Sequence, residues 1–259
     1  MFRTVYPMVL APLLEVEDYP EYRDVVRRLR MQGKFILLDN GANEKTPVTL
    51  QRLHELAIEY DVDEVFALDV LGDAGETLTQ FEAHMDYLAA TNDTKSYLLA
   101  GIVQGKTRTE LTWVIRTYMR MGANTIALPR LLLDTFGRTA RVDMLTYIAN
   151  HAESLNRKLP TVHLLGLNAA HPEELLLVSK YHRWVRSCDS SMAYNYGLRT
   201  ERIGTSRLPG YKHKIINRPP DYFTKDHAFL DAAQVDVIDR NEEVLLEWAK
   251  GNKYAGGIR

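Results

Sequence analysis

The run Tyr97-Leu98-Leu99-Ala100-Gly101-Ile102-Val103, closed by Gln104-Gly105, decides how the chain is read. It is apolar almost without interruption over the length of one strand. A strand needs that pattern when both of its faces are covered, because neither face then meets water. Working outward, runs of the same kind recur at Met8 to Leu14, Phe35 to Leu38, Val65 to Val70, Thr125 to Leu128, Val162 to Leu167 and Trp184 to Cys188. Amphipathic helical segments lie between them. Thr46-Pro47 reads as a cap with proline in the first turn, followed by Leu50, Leu53, Leu56 and Ala57 on one face. Thr107-x-x-Glu110 has capping-box spacing and leads into Leu111, Val114, Ile115 and Tyr118. Thr139 starts a segment carrying Val142, Leu145 and Ile148, and His171-Pro172-Glu173-Glu174 starts another, its acids suited to the positive end of a helix dipole.

Strand and helix alternating about every thirty residues predict an α/β fold of parallel strands joined by right-handed crossovers. Seven strands exceed a small doubly wound sheet, and no G-x-G-x-x-G follows the first, so the expectation is a (β/α)8 TIM barrel. The eighth strand is the weak point, with His213 to Asn217 as its candidate. Helices are expected near Asp226 to Ala233 and Asn241 to Ala249. No linker or repeat divides the 259 residues, so residues 1–259 are read as one domain, with 199–259 its polar, basic and helical C-terminal part.

The composition, 46% hydrophobic and 25% charged, is that of an ordinary globular chain with a large core. A formal charge of -2 gives no global basic field of the kind that draws in nucleic acid. The single cysteine, Cys188, rules out an intramolecular disulfide and a multi-cysteine zinc site, and it fits a reducing, cytoplasmic setting. No basic leader and no apolar run of membrane-spanning length is present, so no membrane role is expected. The eight histidines offer no metal spacing: His54, His84 and His151 fall on helical segments without a partner at i+4, and His163 reads as a core imidazole. Neither a metal nor a cofactor is expected.

In a barrel of this kind the residues just past each strand share one mouth, where active sites sit. Here they are Asp39, Asp69, Gln104, Asn168 and Asp189. Several carboxylates brought together are costly unless one is protonated or a substrate neutralises them, so such a set points to function. Each member also has a plainer role. Asp39-Asn-Gly is a turn signal in which Asp39 bonds its own backbone, Asp69 lies within a run of acids, Gln104 and Asn168 suit helix caps, and Asp189-Ser-Ser is also how a helix begins. One geometry explains the set, whereas the plain roles are independent of one another. Cys188 is less suited to be a nucleophile, with no evident base beside it.

These strings resemble the tRNA-guanine transglycosylase superfamily. Leu-Leu-Asp39-Asn-Gly is similar to its Asp-Ser-Gly segment, and Phe-Ala-Leu-Asp69 to the strand ending in its base-recognising aspartate. Gly101-Ile-Val-Gln-Gly105 matches its most distinctive string unaltered. Thr125-Ile-Ala-Leu-Pro129 falls where it has a glycine-rich base-contacting strand, Leu164-Leu-Gly-Leu167 where it has a Leu-Met-Gly-Val-like segment, and Cys188-Asp189 where it places the nucleophile. The order holds from Leu37 to Asp189, over half of the chain. The departures are the missing three-cysteine, one-histidine zinc site, the loss of a stacking aromatic near Asn43, Leu165 in place of a methionine, and the short chain. In these the chain looks more like the compact, zinc-less phage and bacterial enzymes that put 7-deazaguanines into DNA.

The resemblance implies a base exchange at a glycosidic bond through a covalent Asp-sugar intermediate, a problem related to that of retaining glycosidases. Asp189 is then the nucleophile at C1′ and Asp39 the general acid/base. A guanine edge offers N1–H and the 2-amino group beside O6, which suits Asp69 as acceptor and Gln104 as donor. Ala127, Leu128, Leu165 and Gly166 complete the implied base site. Partners are then DNA, taken flipped or single-stranded, and a free 7-deazaguanine base of the 7-cyano type. Arg199, Arg202, Arg207, Lys212, Lys214 and Arg218 form the candidate phosphate-binding segment, with Tyr194 and Tyr196 as stacking groups. A tRNA-directed enzyme and a non-catalytic accessory subunit are the alternatives. A homodimer or an accessory partner is left open, and the setting is a cytoplasm, that of the host for a phage-encoded protein.

Overall fold

The first unit of the molecule, Met1–Pro129 with Met144–Leu165, is built on a curled parallel sheet, and the second, Arg130–Asp143 with Gly166–Arg259, is mainly helical where it is described. The computed structural model describes residues 8–11, 20–42, 48–91, 97–167, 174–182, 184–189, 193, 202 and 232–250. Along these the chain runs β1 (Met8–Ala11), α1 (Pro20–Met31), β2 (Phe35–Leu38), α2 (Leu50–Glu59), β3 (Glu64–Phe66), α3 (Ala74–Ala90), β4 (Leu98–Ile102), α4 (Arg108–Met121), β5 (Thr125–Pro129), α5 (Leu131–Phe136), α6 (Ala140–Ser154), β6 (Thr161–Leu165), α7 (Glu174–Tyr181), β7 (Ser187–Cys188) and α8 (Ala232–Ala249).

In the first unit β1 to β6 pair in sequence order, every pair parallel, as a half-barrel of six strands. Parallel neighbours need a crossover, and α1 to α4 each supply one. The register of β4 against β5 sets Ile102 beside Ala127, and that of β3 against β4 sets Phe66 beside Ala100. Side chains alternate across a strand, so one face of the sheet gathers Leu37, Phe66, Ala100, Ile102 and Ala127, with Phe35 and Leu165 packed against them. His163 lies on this face, buried, its ring 5.3 Å from that of Phe66, as a core imidazole should. The opposite face receives the helices. There Gly101 lies under the Tyr118 ring of α4, and a Cβ at this position would come within 2.6 Å of it.

Helix termini explain most of the local order. Thr107 and Glu110 form a complete capping box, satisfying donors at the start of α4 in both directions. Asp73 caps α3 by accepting from the N–H of Glu76. The cap of α2 is Thr49, whose hydroxyl accepts from Arg52, and not Thr46; residues 46 and 47 lie outside the described residues. The apolar faces read from the sequence are the buried ones: Leu53, Leu56 and Ala57 on α2, and Leu111, Val114, Ile115 and Tyr118 on α4.

Several boundaries differ from the sequence expectation. Strand β3 ends at Phe66 and β6 at Leu165, before their apolar runs do; beyond them the Ala67 N–H still bonds the Ala100 carbonyl, while the N–H groups of Val70 and Gly166 are taken by the side chains of Thr77 and Asp189. The last strand shrinks to Ser187–Cys188. The C-terminal segment at Asn241 is part of one helix that begins at Ala232. Helix α1 was not picked out, and α3 was read only as the helical segment that carries His84. On α3 the buried face includes Thr77 and His84 as well as Leu78 and Phe81, which blurs the apolar period. Asn168, the helix start at 171–173 and the candidate eighth strand at 213–217 lie outside the described residues. Among the described residues no helix is long and apolar enough to cross a membrane.

Candidate functional site

Asp69, three residues beyond β3, has one carboxylate oxygen against each of two carboxamides. Asn40 Nδ2 donates to Oδ1 at 2.7 Å, and Gln104 Nε2 donates to Oδ2 at 2.6 Å. Both donors are themselves fixed. Asn40 is buried, donates to the Ala67 carbonyl at 2.6 Å and accepts from the Ala42 N–H through its own Oδ1. Gln104 is buried too, and its Oε1 accepts from the N–H of Gly72 at 3.1 Å. The amide oxygens are thus occupied in ways that leave their N–H groups facing Asp69, which sets the orientation of both side chains. Burial pushes the Asp69 carboxyl above the ordinary aspartate value, and the bonds from Asn40 and Gln104 act in the opposite direction.

Three strand ends converge here. Asn40 follows β2, Asp69 follows β3 and Gln104 follows β4, so the pairing of these neighbours carries the three side chains together. Asp39 stands next to the cluster in sequence. It is half-buried, and its Oδ1 accepts from the Asn40 N–H at 2.8 Å, the turn contact that its Asp-Asn-Gly context suggests. Gln104 does not cap α4; Thr107 does. The β3–α3 loop is held from the other side by Thr77, whose hydroxyl accepts from the Val70 N–H and donates to the Val70 carbonyl. Tyr118 supports the end of β4 by donating to the Ile102 carbonyl at 3.0 Å, and burial together with the charge of Asp69 raises its phenol.

A second constellation belongs to the other unit. Asp189 Oδ1 accepts from the Gly166 N–H at 2.7 Å, while the Asp189 carbonyl accepts from the Leu167 N–H at 3.0 Å. Gly166 holds φ at +73°, a left-handed conformation that glycine adopts without strain. Its carbonyl accepts from Arg141 Nη1 at 2.8 Å. Arg141 is fully buried and grips Glu174, itself buried, through Nε to Oε1 at 2.8 Å and Nη2 to Oε2. The thiol of Cys188 is raised by burial and by the neighbouring charge of Asp189, and it donates to the Asp189 carbonyl at 3.5 Å. A raised thiol is a poor nucleophile at neutral pH.

The remaining sequence candidates are placed as follows. Ala127 and Leu128 are buried on β5, where the Ala127 carbonyl accepts from the Val103 N–H, so that carbonyl already serves the sheet. Leu165 is half-buried against the core cluster. Arg202 is exposed, while Arg199, Arg207, Lys212, Lys214 and Arg218, like Tyr194, Tyr196 and Asn43, lie outside the described residues. The helix-cap reading of Asp189 falls on residues 190–192, also outside them. Among the described residues no group of three or more His, Cys, Asp or Glu side chains is placed to hold a metal ion.

Asn40 and Arg141 were not singled out by sequence, and Glu174 was read only as an acid at the start of a helix. Asn40 could have been found from its place one residue after Asp39 at a strand end; its turn-like context masked it. Arg141 and Glu174 pair across 33 residues, and nothing local signals that contact. No protein-family model matches the chain, and no curated protein matches it.

Proposed function

We propose that this protein exchanges a guanine base in DNA for a 7-deazaguanine through a covalent aspartyl-sugar intermediate, in the manner of the transglycosylases its motifs resemble, and that the six-strand sheet is part of a (β/α)8 barrel. The observation that carries the reading is the Asp69 carboxylate, oriented by Asn40 and Gln104 at the ends of three neighbouring strands. A carboxylate oxygen accepts more than one hydrogen bond, so Asp69 can hold its two carboxamides and still accept N1–H and the 2-amino group of a guanine edge. The second N–H of Gln104 is the donor assigned to O6.

In this reading Asp189 attacks C1′ of the target nucleotide, forming a sugar ester as the bond to guanine N9 breaks. Asp39, protonated, gives its proton to the departing base. The incoming 7-deazaguanine returns a proton from its N9–H to Asp39, and N9 displaces Asp189 from C1′. The second half reverses the first, so no oxidant, metal or cofactor enters the balance. The basic segment from Arg199 to Arg218 is the proposed backbone-binding surface, and its cations should make binding salt-dependent.

The test is exchange of labelled guanine into DNA and into tRNA, followed by digestion to nucleosides and mass analysis for a deazaguanine. Incorporation into DNA is expected; incorporation into tRNA alone would overturn the choice of substrate. Asp189→Ala should abolish exchange and the covalent adduct while leaving the fold intact. Undiminished exchange in that variant would end the nucleophile assignment, and a wild-type protein without exchange on either nucleic acid would favour an accessory, binding role. Stoichiometric zinc in the purified protein would contradict the cysteine argument.

A further inference from the structure

We propose that Arg141, locked by Glu174, is a positioning residue for Asp189, acting through Gly166. This rests on the reading of Asp189 as nucleophile. The chain of contacts is short and lies within one unit. Glu174 takes two N–H groups of the guanidinium, and Nη1 is directed to the Gly166 carbonyl at 2.8 Å. The next donor in line, the Gly166 N–H, holds Asp189 Oδ1 at 2.7 Å. Leu167 holds the backbone of the same aspartate at 3.0 Å. Asp189 is therefore gripped at side chain and main chain by two successive residues, and the orientation of the first is fixed by a fully buried cation.

Burying a guanidinium and a carboxylate is expensive, and a well-packed apolar pair of similar volume often stabilises a fold as well or better. Stability alone is thus a weak reason for Arg141 and Glu174. What the ion pair supplies and an apolar pair cannot is a donor aimed at one carbonyl. Gly166 converts that into a fixed N–H on the other side of its own Cα, and its positive φ is the conformation in which both groups are engaged. Holding one carboxylate oxygen restricts rotation of the group, which favours the defined approach that an in-line attack on a sugar carbon demands.

The experiment compares the wild-type protein with Arg141→Met/Glu174→Leu, which removes the ion pair without leaving one charge unpaired, and with Arg141→Lys and Asp189→Asn. Amide exchange of Gly166, followed by NMR, needs no substrate. In the double variant the amides of α7 should remain protected while that of Gly166 exchanges at least about tenfold faster. In the exchange assay kcat should fall about 10- to 100-fold with KM for the base nearly unchanged. Arg141→Lys keeps the charge but not the fork, and should fall between the two. Wild-type protection at Gly166, or wild-type kcat with protection lost, overturns the proposal. Should Asp189→Asn retain exchange, the nucleophile reading fails separately, and the Gly166 amide still decides whether Arg141 governs that peptide.

Discussion

Asp69 carries a charge whose presence depends on its surroundings, and this gives the recognition proposal a pH signature. Its carboxyl is raised by burial, and the N–H groups of Asn40 and Gln104 favour the charged form. A guanine edge needs the carboxylate, so base binding should be complete above the Asp69 value and fade as pH falls through it. Because that value is raised, the fade comes at higher pH than for an ordinary aspartate. Asn40→Ala removes a donor to the charged form, which raises the carboxyl further and moves the acidic limb of binding to still higher pH. At neutral pH the same variant should weaken binding by roughly 1–3 kcal/mol, through loss of orientation and an unsatisfied buried acceptor. Calorimetric titration with a 7-deazaguanine across the weakly acid range measures both effects. A limb displaced to lower pH in Asn40→Ala would contradict the assigned role.

At the scale of elements, the string Gly101 to Gly105 shows what the sequence disclosed and what it withheld. Its apolar run located β4, and the same reading located the other strands, because burial on both faces leaves a signal in composition alone. The reason for Gly101 was not legible, since it lies in the Tyr118 ring packed above it from α4. Strand ends were legible only roughly. The Ala67 N–H still bonds the Ala100 carbonyl of β4, but Leu68 carries the apolar run on beyond the strand, where the chain brings Asp69 to Asn40 and Gln104. Such a placement depends on partners about 30 residues away, which no local window contains. Gly101→Ala would press a methyl group into a buried ring and should cost about 1–3 kcal/mol of stability. Since Gln104 lies two residues beyond the same strand, exchange should suffer more than in Thr107→Ala, which loses about 1 kcal/mol at an exposed cap and leaves β4 in place. Chemical denaturation set beside exchange kinetics separates the two; equal activity losses at equal stability losses would mean that β4 does not transmit the strain to Gln104.

For the molecule as a whole, acid should act through a group remote from Asp69. His54 and His84 both bond the hydroxyl of Tyr97, at 3.1 and 2.9 Å, inside the first unit. Burial and the neighbouring His54 lower His84 to about 4. An unfolded chain returns it to about 6.5. The folded state therefore excludes a proton that the unfolded state accepts. The stabilisation is complete above the unfolded value and is lost progressively as pH falls from about 6.5 towards about 4, by at most about 3 kcal/mol. His84→Gln should flatten this dependence: its urea midpoint should fall less than that of the wild type between neutral and weakly acid buffer, even if it starts lower. This variant also separates the two acid effects. Loss of exchange that follows the Asp69 carboxyl should persist in His84→Gln, whereas loss that follows unfolding of the first unit should shift with the variant's stability. A wild-type midpoint unchanged over that range would show that His84 is protonated without cost, and any acid limb in activity would then belong to the site alone.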